Sequence, residues 1–361
     1  MPVSSTLPDF PWDLLEPAKA VATTHPGGIV DLSIGTPVDP VPQLIRDALS
    51  SAADAPGYPL TAGTPALRSA ITSWTASACA ASGAFGVLPT IGSKELVAWL
   101  PTLLGVGRGD VVVIPSVCYP TYEVGVRLAG ATVVRSDSLV SLGPAPVRVV
   151  WINSPSNPTG RVLPVEHLRK VVAWARERGA IVVSDECYLS LGWDSRPVSV
   201  LADEVCDGDY TGLIAVHSLS KRSNLAGYRA GFVAGDRALV AELLAVRKHA
   251  GMMVPAPVQA AMIAALGDES HVAEQRARYA ARRALLRPAL TGAGFEITHS
   301  EAGLYLWCSR GEDCWKTVDW LAERGILVAP GAFYGPTATQ HVRVALTATD
   351  ERVAAAVDRL L

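Results

Sequence analysis

Charged side chains are scarce in this sequence. Asp, Glu, Lys and Arg make up 18% of its 361 residues, below the roughly 25% that is usual for soluble domains. The formal net charge is −3 and like charges do not occur in runs, which argues against a basic surface for nucleic acid. No continuous apolar run is long enough to span a bilayer. We therefore expect neither nucleic acid nor a membrane as a partner.

Cysteine is sparse, and its spacing does not suggest a metal site. No two cysteines have the C-x(2–4)-C spacing of zinc ligands, so we expect no metal. A reduced chain with small buried thiols is the interpretation that this pattern favours. The first residues lack the positive region and apolar core of a secretory signal, so we expect a cytoplasmic protein. The cysteines are Cys79, Cys118, Cys187, Cys206, Cys308 and Cys314.

Apolar residues, by contrast, make up 49% of the chain, and its mean hydropathy is +0.27. So much apolar side chain with so little charge requires a large core, an extensive subunit interface, or both. It also excludes a predominantly disordered chain. At roughly 150 residues per domain, the length suggests two domains, with some residues left over for an arm or an insertion.

The middle of the sequence alternates strand-like and helix-like segments. Its short β-branched runs are almost continuously apolar, which is typical of strands that are covered on both faces. One intervening stretch, 165–178, has helical periodicity and is followed by Gly179 as a stop signal. This alternation predicts a mostly parallel α/β sheet flanked by helices. The predicted strands are 110–114, 131–135, 147–153, 180–185, 213–218 and 229–234.

The pattern changes after about residue 251. A long charged helical stretch, 271–290, precedes strand-like segments at 303–307 and 341–346 and a closing helix at 350–361. We interpret this part as a smaller α+β domain and the Pro-rich start as an arm. The predicted organisation is an arm at 1–40 that contributes to the small domain, a large domain at 41–268 and a small domain at 269–361.

Lys221 lies where a ligand is expected. It follows the apolar strand 213–218 in a loop rich in Ser, Asn and Gly, and ligands bind at the carboxyl ends of parallel strands. Ser218 and Ser220 offer hydroxyl donors, and Arg229 offers a guanidinium fork for phosphate oxygens. The window favours a phosphate-bearing cofactor, and a solvated loop with an incidental lysine is the alternative.

A second motif is the strand 180–185, which ends in a carboxylate. A buried, unpaired Asp185 would be costly, so we expect a cationic partner. A protonated pyridine nitrogen would serve, and its charge would make the ring an electron sink. Alternatively, Asp185 caps the following turn. Asn157 in NSPSNPTG and Tyr188 in SDECY could bond a ring oxygen, whereas a rigid turn alone would leave Asn157 without a role.

Taken together, these motifs resemble the class I/II aminotransferases, which are pyridoxal 5'-phosphate (PLP) enzymes of fold type I. NPTG contains Asn157, SDECY contains Asp185 and Tyr188, and SLSKRSNLAGYRAG contains Lys221 and Arg229. The resemblance covers nearly the whole chain. It implies that the large domain binds PLP and that Lys221 is the catalytic residue, through a Schiff base. It also implies a ring-nitrogen contact from Asp185 and ring-oxygen contacts from Asn157 and Tyr188.

The same resemblance implies a phosphate site. Ser218, Ser220 and Arg229 would contact the phosphate oxygens. The segment TIGSKELVAWL resembles the turn that opens a helix in this family, so the backbone amides of Ser93 and Lys94 would also face the phosphate. The Lys94 side chain itself is expected to be an ordinary surface group.

Four more residues match the family pattern. Tyr119 in CYPTY would stack on the cofactor ring, or else be an ordinary half-buried tyrosine. Tyr58 in PGYPLTAGTPALR would reach the phosphate of the neighbouring subunit. Gly35 in LSIGTPVDP would line the substrate site together with Asn157. Arg343 in HVRVALT would hold the substrate α-carboxylate through two hydrogen bonds.

The reaction that this resemblance implies is a ping-pong exchange. An amino acid gives its amino group to PLP and leaves as an oxo acid, and a second oxo acid reverses the sequence. Lys221 would move the proton between the substrate Cα and the cofactor. The partners would be small amino and oxo acids, and the protein would be a homodimer with shared active sites.

Three segments are similar to those of bacterial N-succinyldiaminopimelate aminotransferases: LPDFPWDLLEPAKA, IVDLSIGTPVDPVP and APGYPLTAGTPALR. This similarity implies transfer between N-succinyl-LL-2,6-diaminopimelate and 2-oxoglutarate or glutamate, in lysine and diaminopimelate biosynthesis. A cationic side chain should then meet the distal carboxylate of the substrate. Arg196, Arg222 and Arg247 are the candidates, and the sequence does not choose among them.

Other functions stay open. An aminotransferase for aspartate, aromatic or varied amino acids, or a PLP-dependent carbon–sulfur lyase, would carry the same motifs. Ser218 and Lys221 satisfy S-x-x-K of penicillin-binding proteins, but the S-D-N and K-T-G companions are missing. An aminotransferase-like transcription regulator needs a DNA-binding module, for which we expect no room before the arm. Gly105, Gly107 and Gly109 follow a helix and precede a strand, the reverse of a dinucleotide-binding loop, and predict a turn.

Overall fold

The computed structural model describes residues 2–361, and within them the strands form three sheets. The strands are β1 (Val30–Asp31), β2 (Gly86–Ile91), β3 (Val111–Ile114), β4 (Thr132–Arg135), β5 (Val147–Asn153), β6 (Ile181–Asp185), β7 (Leu213–Ser218), β8 (Ala230–Gly235), β9 (Glu296–Thr298), β10 (Tyr305–Ser309), β11 (Ile326–Leu327), β12 (Ala329–Pro330) and β13 (His341–Ala345). The α-helices are α1 (Glu16–Thr23), α2 (Gln43–Ser51), α3 (Pro65–Ala78), α4 (Ser93–Leu103), α5 (Thr121–Leu128), α6 (Val165–Arg178), α7 (Asp203–Cys206), α8 (Leu219–Arg222), α9 (Arg237–Ala250), α10 (Ala256–Leu266), α11 (Ser270–Gly292), α12 (Cys314–Ala322) and α13 (Asp350–Leu360).

The largest sheet has seven strands in the order β2-β8-β7-β6-β5-β3-β4. Strand β8 is antiparallel to both of its neighbours, and every other pairing in this sheet is parallel. Strand β6 is buried at every position, as its apolar sequence predicts for a strand covered on both faces. Separate hydrophobic cores lie on the two faces of the sheet. The predicted mostly parallel α/β sheet with flanking helices is confirmed.

Strand β2 and helix α10 were not predicted from the sequence. Strand β2 contains Pro89, which has no N–H to donate, and the strand is tolerated because it lies at the edge of the sheet. Helix α10 is apolar on all sides, since it packs against α2, α3 and β8, and therefore lacks the amphipathic period that marks a surface helix. Helix α6, by contrast, ends as predicted at Gly179, which has a φ of +63°.

The C-terminal part of the chain contains the second large sheet. Strands β12, β13, β10 and β9 form an antiparallel sheet in that order. Helix α11 matches the predicted helix 271–290 within two residues at each end. Strand β10 begins two residues later than predicted, because Gly303 has a φ of +83° and interrupts the extended chain. The predicted smaller α+β unit is confirmed.

The N-terminal arm packs against this smaller unit. Strand β1 pairs in parallel with β11, and Leu15, Ala22 and Leu32 are buried in the hydrophobic core of the C-terminal part. The arm residues before α1 form two short 3-10 helices, Val3–Thr6 and Pro11–Leu15. The domain limits after residues 40 and 268 stay predictions.

Two expectations concern the chain as a whole: the absence of a membrane span and the state of the cysteines. Within residues 2–361, no helix has both the length and the apolar character needed to cross a bilayer. All six cysteines are free, and all except the half-buried Cys187 are buried. The cysteines are thus small and mostly buried side chains, and their reduced state stays a prediction.

Candidate active site

A cavity of about 360 Å³ opens at the carboxyl ends of β5, β6 and β7. Parallel strands present their carboxyl ends at one edge of the sheet, so chain segments far apart in sequence meet there. The small unit and the arm close the cavity from the other side. Its lining residues are Phe10, Trp12, Ile34, Gly35, Thr36, Ser93, Lys94, Val97, Tyr119, Asn157, Asp185, Cys187, Tyr188, Ser218, Ser220, Lys221, Ala226, Arg229, Tyr305 and Arg343. All residues that the family resemblance assigned to the cofactor and the α-carboxylate, except Tyr58, are therefore brought together.

Asp185 is a buried carboxylate at the end of β6. Its Oδ2 accepts a hydrogen bond of 2.7 Å from the Tyr122 hydroxyl, and its Oδ1 accepts one of 3.2 Å from the Cys187 amide. No Lys, Arg or His among residues 2–361 forms an ion pair with it. Burial raises the pKa of Asp185, and these hydrogen bonds partly oppose that effect. The carboxylate thus faces the cavity in need of a cationic partner.

Lys221 extends into the cavity from the short helix α8. The sequence places it there because β7 ends at Ser218, whose hydroxyl accepts a 3.1 Å hydrogen bond from the Ser220 amide and starts the turn. The Lys221 ammonium donates to the carbonyl oxygen of Gly35 in the arm. Burial lowers the pKa of Lys221, and the positive charges of Arg343 and Arg229 act in the same direction. A lysine of this kind is free as an amine at lower pH than an exposed one.

An anion-binding corner lies beside Lys221. Gly92, with a φ of +74°, precedes the first turn of α4, so the free amides of that helix face the cavity at Ser93. A Cβ atom at Gly92 would collide with the Arg229 guanidinium. Arg229 is held by a 2.8 Å hydrogen bond from Nη1 to the Ala226 carbonyl. A helix N-terminus, serine hydroxyls and a guanidinium together form a site for a phosphate group.

Arg343 occupies the opposite wall, on strand β13. It is 2% exposed, and its Nη1 donates to Asn157 Oδ1 at 2.9 Å while Nη2 donates to the Ser33 carbonyl at 2.6 Å. Its Nε has no hydrogen-bond partner. The guanidinium carbon lies 3.9 Å from the centre of the Tyr305 ring. The Tyr188 hydroxyl is 3.0 Å from that of Tyr305, so the predicted residues form one connected wall.

Three further residues support the site and were not predicted from the sequence. Tyr305 lines the cavity, Tyr122 bonds Asp185, and the Asn153 side chain accepts a 2.7 Å hydrogen bond from the Asn157 amide. The amide group of Asn153 also donates to the Asp185 carbonyl at 2.8 Å. Asn153 ends a predicted strand and lies four residues before Asn157 of NPTG. This position at the carboxyl end of a strand could have marked it as a site residue. Tyr305 depends on the register of β10 with β13, which the sequence does not reveal.

The mouth of the cavity has a different character. Phe10 and Trp12 of the arm lie with their ring centres 5.6 Å apart, and Ile34 and Val97 extend this apolar wall. Lys94 is exposed as expected, but its ammonium also lines the mouth, 5.4 Å from the centre of the Phe10 ring. The side chain is therefore not an ordinary surface group. Partial desolvation by the neighbouring side chains and the charge of Arg229 lower the pKa of Lys94.

The three arginines proposed for a distal carboxylate are wrong, because none of them lines the cavity. Arg222 is buried and pairs with Glu269 at 2.6 Å. Arg247 is fully buried and pairs with Glu95 at 3.1 Å. Arg196 lines a separate surface depression. Two of these charges are thus neutralised within the fold, and the third points elsewhere.

Tyr58 lies apart from the cavity of its own chain. Its side chain is 97% exposed in a loop between α2 and α3. An exposed tyrosine in a chain of low charge fits contact with another subunit, but its place in a partner's site stays a prediction.

Comparison with known proteins adds three findings. A family model described as aminotransferase class I and II matches residues 28–360. A probable aminotransferase of Mycobacterium tuberculosis, Rv1178, is 66% identical over 99% of this chain and 86% of its own length. The 4-dedimethylamino-4-oxo-anhydrotetracycline transaminase OxyQ of Streptomyces rimosus is 60% identical over 98% of this chain and 99% of its own.

A solved structure supports the same relationship. The chain is similar to the structure of a probable N-succinyldiaminopimelate aminotransferase from Thermus thermophilus, with a TM-score of 0.88 and 27% identity. The match covers 97% of this chain and 99% of that one. Fold and sequence thus point to the same group of proteins.

Proposed function

Because this chain belongs to the class I and II aminotransferases, which are PLP-dependent enzymes, we propose that it exchanges amino groups between N-succinyl-LL-2,6-diaminopimelate and 2-oxoglutarate. The observation that carries an aminotransferase assignment is the convergence of Asp185, Lys221 and Arg343 on one cavity. The substrate pair is supported by the similarity to the Thermus structure and by the Lys94 cation at the cavity mouth.

The residues present fit PLP. Asp185, buried without a cationic partner, would hold a protonated ring nitrogen. The start of α4 at Ser93, the hydroxyls of Ser218 and Ser220, and Arg229 would hold the phosphate. When bound, PLP supplies an aldehyde that captures amines and a ring that withdraws electrons from the substrate Cα.

Lys221 would supply the base. Its amine lies in the cavity between the Asp185 end and Arg343, and burial lowers its pKa. In its unprotonated form this amine would accept the proton from a substrate Cα, and in the reverse half-reaction it would deliver a proton to that carbon. The bond to the Gly35 carbonyl fixes the direction of the side chain from the arm.

Arg343 would orient the substrate. Its buried guanidinium, with Nε unpaired, offers a two-pronged site for an α-carboxylate. Asn157 already touches the guanidinium and could also reach a ring oxygen. Since the site keeps the α-carboxylate, it favours reactions that retain this group over decarboxylation.

The distal carboxylate needs another partner, and we assign it to Lys94. Four cationic side chains line the cavity: Lys94, Lys221, Arg229 and Arg343. The last three have the roles given above. Lys94 forms no ion pair with a described residue and lies at the mouth, where the side chain of an extended substrate would end. This assignment replaces the three arginines.

A second candidate substrate class is favoured by the apolar mouth. Phe10 and Trp12 offer ring surfaces, and a relative with 60% identity is named for action on an anhydrotetracycline that carries an oxo group. A bulky ring ketone would use these surfaces rather than Lys94. The dicarboxylate substrate would therefore need the positive charge of Lys94 at the mouth, whereas the ring ketone would need the apolar surfaces of Phe10 and Trp12.

A substrate panel tests the proposal. The PLP-loaded enzyme is assayed with N-succinyl-LL-2,6-diaminopimelate, aspartate, phenylalanine and cystathionine, each with 2-oxoglutarate, and glutamate formation is measured. We expect the succinylated substrate to have the highest kcat/KM by at least about tenfold, which corresponds to 1.4 kcal/mol. Preference for phenylalanine would support the ring-substrate class. Pyruvate and ammonia from cystathionine as main products would show a carbon–sulfur lyase.

The proposal includes a homodimer in the cytoplasm. Tyr58 is exposed and does not line the cavity of its own chain, so it would contact the phosphate of a second subunit. Six free thiols fit a reducing compartment. Sedimentation of the purified protein tests the dimer, and a monomer that is active at nanomolar concentration would contradict it.

A further inference from the structure

A cluster of three possible metal ligands lies behind the candidate active site. Cys79 directly follows α3, Glu186 directly follows Asp185, and His217 directly precedes Ser218. Each of the three residues is at most 2% exposed. One ligand atom from each lies within 4.8 Å of the other two. From this arrangement we infer that the three side chains bind a divalent cation of the zinc class, independently of the substrate assignment.

The separations fit tetrahedral coordination. Cys79 Sγ is 3.7 Å from His217 Nε2, and Glu186 Oε2 is 3.6 Å from the same nitrogen. Zinc bonds of about 2.3 Å to sulfur and about 2.0 Å to nitrogen or oxygen require separations of about 3.5 Å and about 3.3 Å between such ligands. The two distances to His217 exceed these by a few tenths of an ångström, and the Cys79 and Glu186 ligand atoms lie within 4.8 Å of each other. Side-chain rotation would bring the three atoms to the required separations.

Glu186 supplies the second observation. Its Oε1 accepts hydrogen bonds from the Ser184 hydroxyl at 2.8 Å and the Val200 amide at 2.7 Å. Its Oε2 is buried and has no hydrogen-bond partner. The 3.6 Å to His217 is too long for an N–H···O hydrogen bond. A carboxylate oxygen that is buried and unpaired is costly, and a cation shared with His217 and Cys79 removes that cost.

A fourth ligand position adjoins the cluster. A small cavity of about 10 Å³, enough for about one water molecule, is lined by Glu186, His217 and Arg222. Arg222 donates a hydrogen bond from Nη2 to Glu269, while its Nε and Nη1 are buried and have no acceptor. A water bound to the metal would accept a hydrogen bond from one of these two donors. The Ser199 hydroxyl, which neighbours both Cys79 and Glu186, would support the ligands.

The charges in such a site would balance. A thiolate and a carboxylate carry two negative charges, which a divalent cation neutralises, and Arg222 is offset by Glu269. Thiolate, imidazole and carboxylate together favour zinc over magnesium or calcium. The metal would join the ends of β6 and β7 to α3. Asp185 and Ser218, which face the active site, would thereby be fixed from behind.

The test measures metal content of the full-length protein. The chain is expressed in zinc-supplemented medium, loaded with PLP, dialysed, and analysed by inductively coupled plasma mass spectrometry. The variants are Cys79→Ala and His217→Asn, with Cys308→Ala as the matched control, because Cys308 is also fully buried but lies outside the cluster. Circular dichroism establishes that each variant is folded. Cobalt replacement provides a second readout, since a thiolate ligand gives a charge-transfer band.

We expect about one zinc per chain in the parent and in Cys308→Ala, and a loss of at least about tenfold in each cluster variant. The cobalt band should be present in the parent and absent in Cys79→Ala. Two results would overturn the inference. One is a parent protein without bound zinc, which would leave a neutral hydrogen-bonded triad or a buried water. The other is zinc that persists in both variants without a thiolate band, which would be an adventitious ion only.

Discussion

The inner end of the cavity and its mouth are built in different ways. The inner end consists of residues at the carboxyl ends of β5, β6 and β7, among them Asp185 and Lys221, each within a short, recognisable motif. The mouth combines Phe10 and Trp12 of the arm with Lys94 on α4. Local sequence positions the first group, whereas packing between distant segments positions the second. The reaction chemistry at the inner end could therefore be predicted from the sequence, whereas the substrate specificity set at the mouth could not.

The largest effect is expected at the inner end. Lys221→Ala removes the only lysine amine placed between Asp185 and Arg343 among the described residues, so kcat/KM for any amino substrate should fall by at least about 10³-fold. Steady-state glutamate formation measures this. Lys94→Ala is the control at the mouth and should lose far less. An equal loss of kcat/KM in the two variants would contradict the assignment of catalysis to the inner end and of substrate specificity to the mouth.

The next effect concerns Arg343. Replacing it by Gln removes hydrogen bonds from a charged group, worth about 1.5–3 kcal/mol, so KM for the amino substrate should rise by about 10- to 150-fold. Arg343→Lys keeps the charge but loses the planar fork, and should recover only part of the loss. An unchanged KM in Arg343→Gln would remove this residue from carboxylate binding.

A smaller effect is expected at a residue that the sequence did not indicate. Tyr122 donates a 2.7 Å hydrogen bond to Asp185 and stacks on Trp151 with ring centres 4.7 Å apart. Tyr122→Phe keeps the stacking and loses only the hydrogen bond, so PLP affinity should fall by about tenfold. A spectroscopic PLP titration measures it. Tyr279→Phe, at a buried tyrosine of the small unit, is the control and should bind PLP normally; equal affinity in both variants would contradict a positioning role for Tyr122.

The smallest effect is expected at the mouth. Lys94 is exposed, and exposed ion pairs contribute about 0.2–1 kcal/mol. Lys94→Gln should therefore lower kcat/KM for the succinylated dicarboxylate by up to about fivefold and leave that for phenylalanine unchanged. Lys248→Gln on α9 is the matched control. A uniform loss for both substrates would show that Lys94 does not act on a distal carboxylate.

The fold and the inner site were predictable for a common physical reason. Buried parallel strands are continuously apolar, and motifs such as NPTG and SDECY mark their ends, so Asn157, Asp185 and Lys221 could be placed before any contact was known. Arg222 and Arg247 could not be judged in this way, because their partners Glu269 and Glu95 lie 47 and 152 residues away. Cys79, Glu186 and His217 likewise come from three elements, and their spacing carries no metal signature.

Peptide mapping after reduction tests the central claim most directly. The PLP-loaded enzyme is treated with borohydride, digested, and analysed by mass spectrometry for a pyridoxyl-modified lysine. Lys94 and Lys221 both line the cavity, so the measurement discriminates between the mouth and the inner end. We expect the modification on the peptide that contains Lys221. Modification of Lys94 instead, or of neither lysine, would contradict it.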